Sequence, residues 1–200
     1  MTPVFAIFVV QILLYSAFSF YLASLRPPVR IAGFYVYIGI LLVFAGLLSG
    51  IYSLPITPTL NIAGGSLAYG ALLMNTVMLV IIEREVVAVR RVIQMVVVVN
   101  AFEVFLFALI NFALNNDAVI NPYNTASGVF ALSLPIIILG GLLNIVELVI
   151  LLFVFEVIKQ RVANVTIVSI LYALCFVAVL CLDGVLFPML TYTFNPQLSA

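Results

Sequence analysis

Two carboxylates lie in the middle of long apolar runs, and each has an asparagine three residues before it: Asn100-x-x-Glu103 and Asn144-x-x-Glu147. On a helix that spacing puts amide and acid on one face. An acid at membrane depth is costly and marks a functional position by default. A third acid, Asp183, is followed by Gly184, so a capping role at a helix end competes with a binding role there. Asn75 lies at a comparable height in another apolar run, and Tyr15 and Tyr172 each stand eleven residues from an arginine at a span end. No Lys, Arg or His falls inside any of these runs. The acids could be met by the neighbouring amides as interhelical glue, with a proton on one or both of them. Two acids without an internal counter-ion are more than glue requires. The pattern points instead to a polar pocket for a small molecule with hydrogen-bonding edges, where a ligand cation, an incoming proton or an aromatic-cage contact would supply the missing partner.

Other chemistry finds little support. The chain has no His, which removes His-ligated metals, axial-His haem and His-based triads. It has no Gly-rich phosphate loop, no GxSxG, no HExxH and no paired CxxC. Only one Asp falls within a span, whereas an intramembrane aspartyl protease needs two. No enzyme activity, metal or cofactor is expected. Cys175 and Cys181 are six residues apart in one apolar run, so they point in different directions and read as small packing residues. Zero net charge and the absence of a basic patch argue against nucleic acid.

What must position these residues is a membrane bundle. The 200 residues are 66% hydrophobic and only 7% charged, with a mean hydropathy of +1.40. Such a chain could not cover itself with polar surface in water, so lipid is the solvent for most of it. A spanning helix needs about 20 apolar residues. Charges, prolines and asparagines divide the chain into six such runs: Val4–Leu25, Ile31–Leu54, Asn61–Ile82, Val92–Leu114, Leu132–Ile158 and Val165–Leu190. Strands are not expected for the spans, because the runs are uniformly apolar rather than alternating. Counting ~1.5 Å per residue from the flanking charges puts Glu103 and Glu147 near the midplane and Asp183 near the opposite interface.

All seven basic residues fall in three alternate loops: Arg26 and Arg30, then Arg84, Arg90 and Arg91, then Lys159 and Arg161. The positive-inside rule makes those loops cytoplasmic and puts both termini outside an inner or plasma membrane. Asn164-Val165-Thr166, although a glycosylation pattern, is thereby discounted. Trp is absent, and Tyr21, Tyr35, Tyr52, Tyr69, Tyr123 and Tyr192 near span ends read as an aromatic belt. Gly46-x-x-x-Gly50 permits close helix approach, within the bundle or in a homodimer.

The stretch AlaGlyGlySerLeuAlaTyrGlyAlaLeuLeuMetAsn (63–75), followed by GluArgGlu and ArgArgVal, resembles the vitamin uptake transporter family, six-helix bacterial proteins that include queuosine-precursor transporters. LeuAspGlyValLeuPhe (182–187) is similar to that family's Asp-containing motif in the sixth span. The resemblance implies a nucleobase-like or vitamin-like ligand. Where the family usually carries Asp and Glu in the third helix, this chain has Asn75 and Leu79, which points to the same fold with a changed ligand. Vitamin-uptake-like bundles also occur as sensor modules joined to signalling domains, and the uncharged tail after Leu190 suits a module of a longer protein.

The reading is therefore an all-α, polytopic protein, one six-helix transmembrane domain over residues 1–200. It acts as a sensory input module that binds a small molecule through Glu103, Asn100, Glu147 and Asn144, with Asn75, Tyr15, Tyr172 and Asp183 as second candidates. A secondary transporter of a vitamin or nucleobase-like precursor is the alternative, followed by an assembly subunit without a ligand.

Overall fold

Arg26-Pro27-Pro28 both stops one helix and starts the next, since proline fits the first turn, where no helical N–H bond is required. The computed structural model describes residues 3–57, 60–83 and 86–194. They form six helices: α1 (Pro3–Ser24), α2 (Pro27–Ser49), α3 (Gly64–Glu83), α4 (Val87–Leu114), α5 (Ser127–Arg161) and α6 (Val165–Phe194). All six are long and apolar enough to cross a membrane. Outward-facing Leu13, Leu14, Phe102, Phe105, Phe153 and Leu174 are each at least 60% exposed, as residues in contact with acyl chains would be. The protein is a multi-pass membrane protein.

The loop between the second and third spans differs from expectation. α2 stops at Ser49, not Leu54, and α3 begins at Gly64, not Asn61. Between them β1 (Ser53–Thr57) and β2 (Leu60–Ala63) pair antiparallel, with Leu54 opposite Ile62. The physical reason is Pro55. It has no N–H to continue a helix, and its ring pushes Leu54 toward extended backbone. Pro58, Arg84 and the tail from residue 195 lie outside the described residues, as does the side chain of Tyr192. At the other connections the helices outrun the apolar runs. α4 takes in Arg90 and Arg91, and α5 begins at Ser127 and continues through Pro135 to Arg161.

α3 is the most enclosed helix, with Leu72, Leu73, Leu79 and Val80 all buried, and α4 pairs most extensively with α5. α1 buries little beyond Ser19 and Leu22 and lies against α2 and α3. The α2–α3 crossing is tight because of glycine. A Cβ on Gly65 would overlap the backbone carbonyl of Ala45 and Ser49 Oγ, and one on Gly64 would come within 2.6 Å of the Tyr52 ring. Backbone cannot swing aside as a side chain can. Gly65→Ala is therefore expected to destabilise the bundle by about 1–3 kcal/mol or more, visible as a lowered unfolding midpoint in detergent.

The described basic residues gather at one end of the bundle. Arg30 at the start of α2 donates to Glu83 Oε1 at the end of α3, through Nη2 at 2.8 Å and Nε at 3.1 Å. Arg90 at the start of α4 pairs with Glu156 near the end of α5. The first pair is only 18% and 21% exposed, the second 59% and 37%. Losing Arg30 to Ala should cost roughly 1 kcal/mol, and losing Arg90 less than about half of that, since exposed pairs are screened. A two-point comparison of unfolding midpoints checks the order. At the opposite end Asn115 Oδ1 accepts from Ser127 Oγ at 2.9 Å, tying α4 to α5. Asn164 at the basic end accepts from the Thr166 N–H at 2.9 Å and so caps α6.

Candidate functional site

In the half of the bundle away from the basic end, five helices leave a cavity of about 60 Å³. One water needs roughly 10–15 Å³ by this measure, so the space suits a few waters or a small organic group. Leu42, Ala45, Gly46 and Ser49 line it from α2, and Gly65, Ser66 and Tyr69 from α3. Asn100 and Glu103 come from α4, Ile137, Gly140, Gly141 and Asn144 from α5, and Asp183 and Phe187 from α6. The β1–β2 hairpin joins α2 to α3 at this end.

Glycine makes the room. A Cβ on Gly46 would overlap Glu103 Oε1 and come within 2.7 Å of Ile137 Cγ1. A Cβ on Gly141 would overlap the Asn100 amide. So two polar side chains of α4 lie in notches on facing helices, Glu103 on α2 and Asn100 on α5. This is how Gly46 of the GxxxG pair is used, inside the bundle, while Gly50 caps α2 with its N–H on the Leu47 carbonyl at 3.2 Å.

What the notches hold is unpartnered. Glu103 is 1% exposed and Asn144 1%. Among the described residues, neither oxygen of Glu103, neither polar atom of the Asn144 amide, Asn100 Nδ2 nor Tyr69 Oη has a hydrogen-bond partner. A buried polar atom left so costs roughly 1–3 kcal/mol. Waters or a polar guest bonded in the cavity would offset that cost.

A carboxyl pair stands at the cavity edge. Asp183 is beside Glu147, one turn from Asn144 on α5. Both oxygens of Glu147 are buried without a hydrogen-bond donor. Two carboxylates can accept but not donate, so such a pair needs a proton or a cation between its oxygens. Counting from Arg161 placed Asp183 near the far interface. The structure brings the Asp183 side chain beside Glu147.

A family model described as vitamin uptake-like sensor matches residues 16–200. The chain belongs to that family. No curated protein and no solved structure matches it. Membership agrees with the resemblance carried by residues 63–75 and 182–187, and the first of those segments supplies Gly65, Ser66 and Tyr69 to the cavity of this vitamin uptake-like sensor.

The residues singled out by spacing divide into three groups. Asn100, Glu103, Asn144 and Asp183 line the cavity, and Glu147 adjoins it through Asp183. Asn75 is fully buried elsewhere in α3, its Nδ2 donating to the Ala71 carbonyl at 2.7 Å. Tyr15 and Tyr172 do not reach the cavity. The Tyr15 carbonyl accepts from Tyr37 Oη at 3.3 Å, and Tyr172 stacks on Phe155 at 4.0 Å and donates to its carbonyl at 3.2 Å. Two members of the expected aromatic belt also face inward: Tyr69 lines the cavity, and Tyr52 accepts from Gln11 and covers Gly64. Spacing missed Tyr69 and the notches. The signal was available, since Gly65, Ser66 and Tyr69 lie within four residues, all on a helix that also buries Asn75.

Proposed function

We propose that this vitamin uptake-like sensor domain binds a small molecule in the cavity and passes the resulting change in helix packing to an attached domain. The role is recognition without reaction. The observation that carries it is the set of buried, unpartnered polar atoms that Glu103, Asn144, Asn100 and Tyr69 direct at one cavity. With the basic end cytoplasmic, as the positive-inside rule has it, the cavity lies in the outer half of the membrane and both ends of the bundle's chain lie outside. A ligand would then be sampled from the external side. Ligand contacts bridge α2, α3, α4, α5 and α6, so occupancy favours one packing of these helices over another.

Proteoliposomes incubated with radiolabelled nucleobases, vitamins and amines test the proposal. The expected result is saturable retention on the membrane by at least one compound, without accumulation in the lumen. Time-dependent accumulation that Glu103→Gln abolishes would make the protein a transporter instead.

A further inference from the structure

The cavity's chemistry is two-sided, and both sides are matched by one kind of ligand. Its acceptors are the Glu103 carboxylate, Asn144 Oδ1 and, at the edge, Asp183. Its donors are Asn144 Nδ2, Asn100 Nδ2 and Tyr69 Oη. No basic side chain lines it among the described residues, and the ion-paired Arg30 and Arg90 stand at the other end of the bundle. The walls between these groups are apolar: Leu42, Ile137 and Phe187.

From this juxtaposition we infer that the ligand is a small organic cation whose charged N–H group, of the amidinium or guanidinium type, sits next to a hydrogen-bond acceptor such as a carbonyl. The inference rests on the proposed reading of the cavity as a ligand site. The charge faces Glu103 and Asp183, where a planar N–H fork pairs with carboxylate oxygens. The acceptor faces Asn100 and Tyr69. Asn144 spans both halves, since its amide offers a donor and an acceptor and neither has another partner. A bare metal ion would satisfy the oxygens and leave the amide and phenol donors unmet. An anion would meet the donors and be repelled by the acids. A neutral molecule would meet the acids only while each kept a proton of its own, and a cation takes the place of that proton.

Three probes of equal heavy-atom count separate these possibilities. Acetylguanidinium has the charge and the acceptor, propylguanidinium has the charge alone, and acetylurea has the acceptor alone. Equilibrium titration of the purified protein, near pH 6.5 so that acetylguanidinium is charged, should find acetylguanidinium bound at least tenfold more tightly than either of the others. Glu103→Gln should narrow its advantage over acetylurea, and Asn144→Leu its advantage over propylguanidinium. Acetylurea binding as well as acetylguanidinium, with both lost in Asn144→Leu, overturns the cationic class while leaving the cavity a ligand site. Equal binding of the two guanidinium compounds overturns the adjacent acceptor. Binding of all three unaffected by either substitution, or no binding by any, overturns the inference, and a ligand from the wider panel that does need Glu103 shows in that case that the cavity reading survives it.

Discussion

Glu103→Gln is expected to leave the unliganded bundle as stable as the wild type, or slightly more stable, while removing the stabilisation that a ligand confers. Glutamine has the same length, so it fits the Gly46 notch without new contact. No side chain or backbone group among the described residues donates to the carboxyl oxygens, so no such bond is lost. What disappears is the acid directed into the cavity. A ligand at 100 times its Kd stabilises the folded state by about 2.7 kcal/mol. For a chain of this size that is a rise of roughly 5–10 °C in the unfolding midpoint, at about 2–4 °C per kcal/mol. The variant should show little of it. If Glu103 instead served as interhelical glue, the substitution would lower the unliganded midpoint and leave any ligand response intact. Thermal unfolding of both proteins, with and without ligand, separates the two.

Asn144→Leu should give the strongest dissociation of stability from function. Asn144 is 1% exposed and neither polar atom of its amide is bonded. Leucine has nearly the same shape and carries no polar atom to desolvate, so the unliganded bundle is expected to gain about 1–2 kcal/mol. Binding should fall at least tenfold, since the ligand loses both a donor and an acceptor. A protein that unfolds several degrees higher and no longer responds is the trade-off expected where strain is kept for function. A destabilised Asn144→Leu would mean that the amide has a structural partner. By contrast, Asn75→Leu removes an amide that donates to the Ala71 carbonyl within its own helix, and it should leave ligand binding unchanged.

Much of the architecture was legible in the sequence, because lipid imposes a simple rule. Backbone groups must be satisfied within a segment, so each apolar run of about 20 residues becomes a helix. Six runs became six helices, and the charged residues mark their basic ends. The β1–β2 hairpin was not legible from hydropathy, since residues 51–63, though less apolar than the spans beside them, carry no charge to mark a separate element. Pro55 was the local signal, and it was read as a helix end without the strand that follows from it. In the site, spacing placed Asn100 with Glu103 on one face and identified Asn144. It could not show which faces meet. That depends on helix rotation, which is set here by Gly46 and Gly141 accepting the side chains of α4. Tyr69 was assigned to the interface by its position near a span end, yet the rotation of α3 turns it inward. Depth counting along α6 could not show that the Asp183 side chain meets Glu147, which also depends on helix rotation.

The measurement that tests the central claim most directly is the unfolding midpoint of the detergent-purified protein against nucleobases, vitamins and amines, run in parallel on the wild type, Glu103→Gln and Asn144→Leu. The account predicts a concentration-dependent rise for at least one compound in the wild type, lost in both variants, each of which remains folded. Wild type and variants responding alike to every compound, or both variants unfolding well below an unresponsive wild type, would contradict it and make these buried groups part of the scaffold.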